Sequence, residues 1–304
     1  MAEYERQQLI IDSDGCPLAA TVYIPAGDPP FPAIAFSGPL ASVRDQVVGR
    51  YAERLAAEGF LSLTFDHRNY GQSGGSRRQH EDPQGKLWDL RAAVTALERL
   101  PEVDPRRITL CGLALGGGYA LLAASTDPRV SAVTTVAGAF NSPVRTDQRL
   151  GREDYRAVLS QFLRAAHRSD GSPAYLPVVS SDSGPAILAG EEQYLYFGTP
   201  RGRSPQWRNQ ITAASAYNLL VLDTTCAADL IAPTPVLLVQ GRNDAYCRPE
   251  VAQEVHDRIS GPKRLFWVDT ERHTDLYDSE PAVSQAVGAI RNFLQDGLVA
   301  HQDR

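Results

Sequence analysis

The segment around Ala114 constrains the fold of this 304-residue chain more than any other part of it. An apolar run at 107–110 leads into residues 111–118, in which glycines flank Ala114, and a helix-like stretch follows at 117–125. Glycines let a strand and a helix approach each other closely around a residue in a strained backbone conformation. The segment therefore predicts a strand, a tight turn with Ala114 at its tip, and a helix.

Strand patterns and helical patterns alternate along most of the chain. Short apolar strands are predicted at 7–12, 17–24, 31–36, 60–65, 107–111, 130–136, 235–240 and 263–268. Helical spacing predicts helices at 44–58, 82–100, 117–125, 249–259 and 282–294. This alternation predicts an α/β fold, with a mostly parallel sheet that carries helices on both faces. In such sheets ligands bind at the edge formed by the carboxyl ends of the strands.

Residues 141–232 interrupt the alternation, and we call them the insert. They contain a helix-like stretch at 154–168 and then turns rich in Gly, Pro and Ser. Residues 1–140 and 233–304 are therefore predicted to form one core domain, with the insert as a cap over its active edge. The insert carries six aromatic residues that pack on each other or line a largely apolar pocket: Tyr175, Tyr194, Tyr196, Phe197, Trp207 and Tyr217.

Composition excludes several classes of function. The net charge of −6 and the lack of a basic stripe argue against nucleic-acid binding. No apolar run approaches the ~20 residues needed to span a bilayer, and residues 1–8 do not resemble a signal peptide. The four scattered cysteines lack metal-binding spacing, so reduced thiols in a cytoplasmic protein are expected, with no metal and no cofactor. The oligomeric state stays open, with a homodimer among the alternatives.

Two polar residues follow predicted strands on the carboxyl side of the Ala114 turn. Asp244 comes just after the strand at 235–240, and His273 lies in a loop after the strand at 263–268. Each feature alone is weak, because Asp is common in turns and a lone loop histidine is usually solvated. Together with the turn they have the chain order that follows a G-x-S-x-G nucleophile elbow, which is the turn residue first, then the acid, then the histidine. We therefore predict a catalytic set of Ala114, at the nucleophile position, with Asp244 and His273.

A loop at 36–40 follows the third predicted strand, where an oxyanion-binding loop belongs. Two backbone N–H groups must meet a developing oxyanion. Leu115, after the elbow residue, supplies one, and Leu40 or a neighbour supplies the other, since Pro39 has no N–H. The predicted oxyanion hole is thus Leu40 and Leu115.

With these motifs the chain resembles the α/β-hydrolase superfamily, in the branch related to dienelactone hydrolases and polyketide-type transferases. The segments that carry the resemblance are 65–75, 100–108, the elbow with its Gly-Gly-Gly-Tyr, and 273–278. The resemblance covers most of 16–140 and 233–295, and none of the insert. It implies an α/β-hydrolase fold, a small hydrophobic acyl substrate, and a nucleophile, acid and histidine at Ala114, Asp244 and His273.

Alanine at position 114 departs from the family pattern, because a methyl group cannot attack a carbonyl carbon. The first explanation is an engineered serine-to-alanine change in an enzyme that acts on a mid-sized hydrophobic ester, lactone or thioester of secondary metabolism, by hydrolysis or acyl transfer. The second is a natural enzyme without a nucleophile, in which His273 and Asp244 act as a general base for lyase, cyclisation or oxygenation chemistry. The third is a binding protein that retains the pocket. Two surrogate nucleophiles are disfavoured: Cys111 lies three residues upstream on the strand, so its sulfur should be several ångströms from the elbow tip, and Ser37 would have to reach His273.

Overall fold

The computed structural model describes residues 4–167, 172–181 and 184–302, with side chains as far as residue 296. The strands are β1 (Tyr4–Ser13), β2 (Cys16–Pro25), β3 (Phe31–Ser37), β4 (Leu61–Phe65), β5 (Val103–Leu113), β6 (Val130–Val136), β7 (Tyr175–Leu176), β8 (Ile211–Thr212), β9 (Val236–Gly241) and β10 (Lys263–Val268). Eight of them form one sheet in the order β1-β2-β4-β3-β5-β6-β9-β10, while β7 and β8 pair separately. From β4 to β10 the neighbours in the large sheet are parallel, whereas β1 and β2 join antiparallel.

Helices cover the central part of the sheet, because strands β3, β4, β6 and β9 are almost entirely buried and need an apolar cover on both faces. The helices of the core are α1 (Val47–Ala57), α2 (Pro83–Glu98), α3 (Leu115–Ala124), α9 (Pro249–Arg258), α10 (Asp275–Asp278) and α11 (Ala282–Gln302). The part of the insert that is described adds α4 (Pro143–Leu150), α5 (Arg152–Ala166), α6 (Glu191–Phe197), a 3-10 turn at Pro200–Gly202, α7 (Ala213–Val221) and α8 (Ala227–Leu230). The predicted α/β class with its mostly parallel sheet is confirmed.

Some element boundaries differ from those predicted, for local physical reasons. The helix predicted from residue 44 begins at Val47, because the Arg44 amide N–H donates instead to Asp66 (2.7 Å). The helix predicted from 117 begins at Leu115, directly after Ala114. The strand predicted at 107–111 spans Val103–Leu113, with a register irregularity against β3. The helix predicted at 154–168 spans Arg152–Ala166, and residue 168 lies outside the described residues.

The insert leaves the sheet after β6 and rejoins it before β9, and its described part contacts loops at the carboxyl edge of the strands. The Thr212 N–H donates to the Gln79 carbonyl (2.8 Å), and the Gln46 side-chain amide donates to the Gly202 carbonyl (2.6 Å). The Thr274 N–H donates to Glu192 (2.7 Å). Within the described ranges, no helix is long and apolar enough to cross a bilayer.

Candidate active site

Ala114 lies at a sharp turn between β5 and α3, with φ 47° and ψ −120°. Its N–H donates to the Val136 carbonyl (3.0 Å), and its own carbonyl accepts from Gly117 (2.9 Å) and Ala139 (2.8 Å). A positive φ at a residue other than glycine costs on the order of 1–3 kcal/mol, and the surrounding structure has to hold it in place. The backbone therefore keeps the strained conformation of a nucleophile elbow, with a methyl group at its tip.

Two glycines allow the elbow to close. A Cβ atom on Gly112 would lie 2.1 Å from the Gly116 carbonyl oxygen, and one on Gly116 would lie 2.1 Å from the Ser37 carbonyl oxygen. Both distances are far inside van der Waals contact, and both partners are backbone atoms that cannot move aside independently. Glycine at 112 and 116 is what brings α3 against β5 and against the loop after β3.

The loop after β3 reaches the start of α3, as expected for an oxyanion hole. Leu115 is the first residue of α3, so its N–H has no acceptor within the helix. Leu40 lies in a turn closed by a hydrogen bond from the Ser42 N–H to the Pro39 carbonyl (3.2 Å), and the next residue, Ala41, has φ 58°. Among the described residues, neither the Leu40 nor the Leu115 N–H donates a hydrogen bond. Their role in binding an oxyanion stays a prediction.

Asp244 and His273 are in direct contact, as expected from their strand positions. The His273 Nδ1–H donates to Asp244 Oδ2 (2.7 Å), and both side chains are buried. Three further donors fix the Asp244 carboxylate: the N–H groups of Tyr246 (2.9 Å) and Cys247 (2.7 Å) on Oδ1, and the Gln240 side chain (3.2 Å) on Oδ2. A carboxylate held in this way orients the imidazole and stabilises its protonated form.

Tyr277 occupies the other ring nitrogen of His273. Nε2 and the Tyr277 hydroxyl share a hydrogen bond of 2.8 Å, and the two rings meet edge to face with centroids 5.0 Å apart. Burial alone lowers the pKa of His273, but Tyr277, Cys247 and the Asp244 carboxylate outweigh it and hold the pKa well above its usual value. Burial raises the pKa of Tyr277 to about 12. These contacts therefore favour the protonated form of His273.

Cys247 completes a three-residue group that the sequence reasoning missed. One ligand atom each from Asp244, Cys247 and His273 lies within 4.8 Å of the other two. Burial raises the pKa of the Cys247 thiol, while His273 opposes that shift. Residue 247 lies three positions after the predicted acid, and this short spacing was the only available signal for it.

Neither of the surrogate nucleophiles considered from the sequence reaches His273. The Ser37 hydroxyl instead lies 3.0 Å from His67 Nε2, and His67 Nδ1 lies 3.2 Å from Asp89. The connectivity copies a serine–histidine–aspartate triad, but Asp89 also accepts hydrogen bonds from the Arg68 and Ser13 side chains (2.8 Å each), so we interpret the three residues as part of a buried structural network. Cys111 is also buried, and burial raises the pKa of its thiol to about 12. His67 is thus buried and hydrogen-bonded through both ring nitrogens.

Aromatic residues of the insert pack beside the His273 pair. The ring centroid of Tyr277 lies 4.8 Å from that of Tyr196 and 6.3 Å from that of Phe197. Arg201 forms an ion pair with Asp278 (2.5 Å), the residue after Tyr277 in α10.

A groove of about 740 Å³ lies between β1 and α2, and it shares no residue with this site.

Comparison with known proteins finds relatives that share the sequence and the fold over most of the chain. Over 289 residues the chain is 32% identical to the uncharacterized protein PA2218 of Pseudomonas aeruginosa, covering 87% of this chain and 73% of that protein. The crystal structure of PA2218 superposes with a TM-score of 0.87 at 29% identity, over 98% of this chain and 95% of that one.

Two fungal relatives carry names that state an activity. The thiohydrolase aneE of Aspergillus aculeatus is 27% identical over 94% of this chain and 91% of its own length. The polyketide transferase ATR5 of Stachybotrys chlorohalonatus is 28% identical over 82% of this chain and 84% of its own length. The family profile described as serine aminopeptidase, S33 (Hydrolase_4) matches residues 42–280. With this match over most of its length, and with the sheet and elbow described above, the chain belongs to that family of α/β-hydrolases.

Proposed function

We propose that this site performs acyl chemistry on a mid-sized hydrophobic ester, lactone or thioester, and that its fully active form carries an oxygen or sulfur nucleophile at position 114. The buried hydrogen bond between His273 and Asp244 carries the proposal. A protein that only binds its ligand has no chemical need for an oriented imidazole beside a carboxylate. The names of the relatives, thiohydrolase and polyketide transferase, support an acyl or thioacyl substrate.

The strain at Ala114 supports the second half of the proposal. A φ of 47° stabilises nothing when the side chain is a methyl group, yet the hydrogen bonds to Val136 and Ala139 hold it there. Such a turn serves to project a reactive side chain. An alanine at this position is what we expect if the nucleophilic side chain has been replaced and the rest of the site has been left unchanged.

The steps with serine at position 114 follow from the contacts. The hydroxyl oxygen attacks the acyl carbon, and its proton passes to Nε2 of His273 in the neutral form that is present above the pKa of the imidazole, for which Tyr277 must yield its hydrogen bond. The N–H groups of Leu40 and Leu115 receive the negative charge on the carbonyl oxygen. The imidazolium then protonates the leaving oxygen or sulfur. Water or a second nucleophile removes the acyl group from the serine, which completes either hydrolysis or transfer.

The test compares the chain as written with Ala114→Ser and Ala114→Cys on aryl esters and thioesters of increasing acyl length. Loss of a triad nucleophile costs roughly 10⁶ in kcat in a well-studied protease, so we expect a gain of at least ~10³ from one of these changes. Ala114→Gly is the matched control, because it relieves the strained φ without adding a nucleophile. Failure of both nucleophilic variants to exceed the glycine variant would overturn the proposal.

A second candidate is a natural enzyme without a covalent step, and the contact between Tyr277 and His273 favours it. With Nε2 already hydrogen-bonded, the Asp244–His273–Tyr277 chain can move a proton to or from a bound substrate or water with no help from residue 114. This candidate predicts turnover of a lactone or ester by the chain as written, lost in His273→Ala. It also predicts that mass spectrometry finds no acyl adduct on Ala114→Ser.

We also propose that the insert, residues 141–232, forms a cap over this site. Its contacts with Gln46, Gln79 and Thr274 support this arrangement, because those residues belong to loops at the carboxyl edge of the strands. A cap over this edge fits a largely apolar substrate pocket.

A further inference from the structure

The thiol of Cys247 adds a soft ligand to the pair formed by Asp244 and His273. The three side chains offer one sulfur, one ring nitrogen and one carboxylate oxygen, all within 4.8 Å of one another. Their residues are 7%, 2% and 2% exposed for Cys247, Asp244 and His273. Neither the fold nor the acyl chemistry proposed above requires a thiol at this position.

We propose that Asp244, Cys247 and His273 form a site for a soft divalent cation, Zn²⁺ or Cd²⁺, and that an ion bound there blocks proton transfer by His273. The binding is independent of the proposed function. Only the inhibitory consequence rests on it, since a metal-bound imidazole cannot act as a base or an acid.

The donor set fits such an ion by type and by number. Zinc binds Cys sulfur at about 2.3 Å, and His nitrogen and carboxylate oxygen at about 2.0–2.2 Å, in a tetrahedral arrangement. Three protein ligands leave a fourth position for water, as in the open zinc sites of enzymes. A thiolate excludes Mg²⁺ and Ca²⁺, which prefer oxygen-only sites.

The charges balance when the ion binds. The Cys247 thiol loses its proton to solvent, and the coordinating nitrogen of His273 must also be free of a proton. A thiolate and the Asp244 carboxylate together neutralise a divalent cation, so no net charge is buried. An uncompensated charge at this buried position would carry a large desolvation penalty.

The surroundings already hold the ligands in place. The Cys247 N–H and the Gln240 side-chain amide both donate to the Asp244 carboxylate (2.7 and 3.2 Å), and the Gln240 amide also donates to the Cys247 carbonyl (2.5 Å). Such hydrogen bonds to metal ligands usually raise metal affinity by 10–100-fold. Among the described residues, no other group of three or more His, Cys, Asp or Glu side chains meets the same spacing.

Cadmium titration of the full chain tests the binding, with the thiolate-to-cadmium charge-transfer absorbance as the readout. We expect one ion per chain, loss of the band in Cys247→Ser and Cys247→Ala, and an affinity at least ~100-fold weaker in His273→Gln. Cys226→Ser is the matched control, since Cys226 is exposed and lies elsewhere in the fold. It should keep the band unchanged.

X-ray absorption of the zinc-loaded, unaltered chain gives an answer that needs no variant. A single sulfur at about 2.3 Å with nitrogen and oxygen neighbours at about 2.0–2.2 Å would support the site. A zinc shell without sulfur, no saturable binding, or a cadmium band that persists in Cys247→Ser would overturn it. Binding of the ion without inhibition of Ala114→Ser would refute the inhibitory consequence, whereas an inactive Ala114→Ser would count against the acyl chemistry and leave the metal site intact.

Discussion

The Tyr277 hydroxyl lies 2.8 Å from Nε2 of His273, the ring nitrogen that a nucleophile at position 114 would need. The contact arises because α10 begins just after His273 and brings residue 277 back beside it one helical turn later. Tyr277 is fully buried, and its raised pKa keeps the phenol neutral at ordinary pH. His273 is therefore hydrogen-bonded on both nitrogens, to a carboxylate on one side and a phenol on the other.

Removing the Tyr277 hydroxyl should lower the pKa of His273, because the neutral phenol oxygen accepts a hydrogen bond from Nε2–H when the imidazole is protonated. In the Ala114→Ser background, we expect Tyr277→Phe to move the rising limb of kcat/KM against pH to lower pH. Tyr246→Phe is the control, since its ring also lies near His273 (5.8 Å) but its hydroxyl donates to the Ala189 carbonyl (2.9 Å). If the rising limb of kcat/KM moved to higher pH, or moved equally in both variants, the Tyr277 hydroxyl would not be what raises the pKa of His273.

The raised pKa of His273 also makes part of the stability depend on pH. A histidine whose pKa is higher in the folded state stabilises that state fully below its unfolded pKa of about 6.5, and the benefit is lost as pH rises through the folded pKa. Asp244→Asn removes one of the groups that raise this pKa. In urea titrations we expect the loss of unfolding free energy in Asp244→Asn to be larger at about pH 6 than in alkaline solution. A loss that does not vary with pH would refute the linkage.

The sequence predicts those features of the fold that depend on local pattern. The strand Val130–Val136 lies where its apolar run predicted it, because a buried parallel strand is a largely apolar run bounded by turns. The strand Lys263–Val268 also lies at its predicted position, although it is an edge strand and most of its side chains are partly or fully exposed. The contact between Asp244 and His273 was also predictable, since strand order fixes which loops meet at the sheet edge.

Contacts made by packing between distant segments could not be predicted in this way. Ser37, His67 and Asp89 meet because α2 lies across the face of the sheet, and no spacing in the sequence signals their hydrogen bonds. The position of Cys247 beside His273 likewise depends on how the loop after β9 folds back around the Asp244 carboxylate. Side-chain direction within loops is set by such tertiary contacts rather than by local propensity.

The elbow should not tolerate a methyl group at Gly116. A Cβ atom there would meet the Ser37 carbonyl oxygen at 2.1 Å, so β3 and α3 would have to move apart. Overpacking of this kind costs typically 1–3 kcal/mol, and we expect Gly116→Ala to lower the free energy of unfolding by at least the middle of that range. Gly288→Ala is the matched control in α11, where a Cβ meets nothing within 4 Å, and it should stabilise by about 0.5–1 kcal/mol. Equal effects of the two changes would show that the elbow is not closely packed.

A buried ion pair beside the elbow helix should be more sensitive to loss of one partner than of both. Lys86 Nζ lies 2.9 Å from Glu81 and 5.3 Å from the ring centroids of Tyr70 and Tyr119, and the pair is almost fully buried. Lys86→Met leaves the Glu81 carboxylate buried without its cation, which costs about 3–5 kcal/mol. Adding Glu81→Gln removes the uncompensated charge, so the double variant should regain most of that loss in denaturant titrations. Arg291→Met, at a half-exposed ion pair, should cost less than about 1 kcal/mol. A double variant less stable than Lys86→Met would show that the Glu81 charge is compensated by its tyrosine neighbours alone.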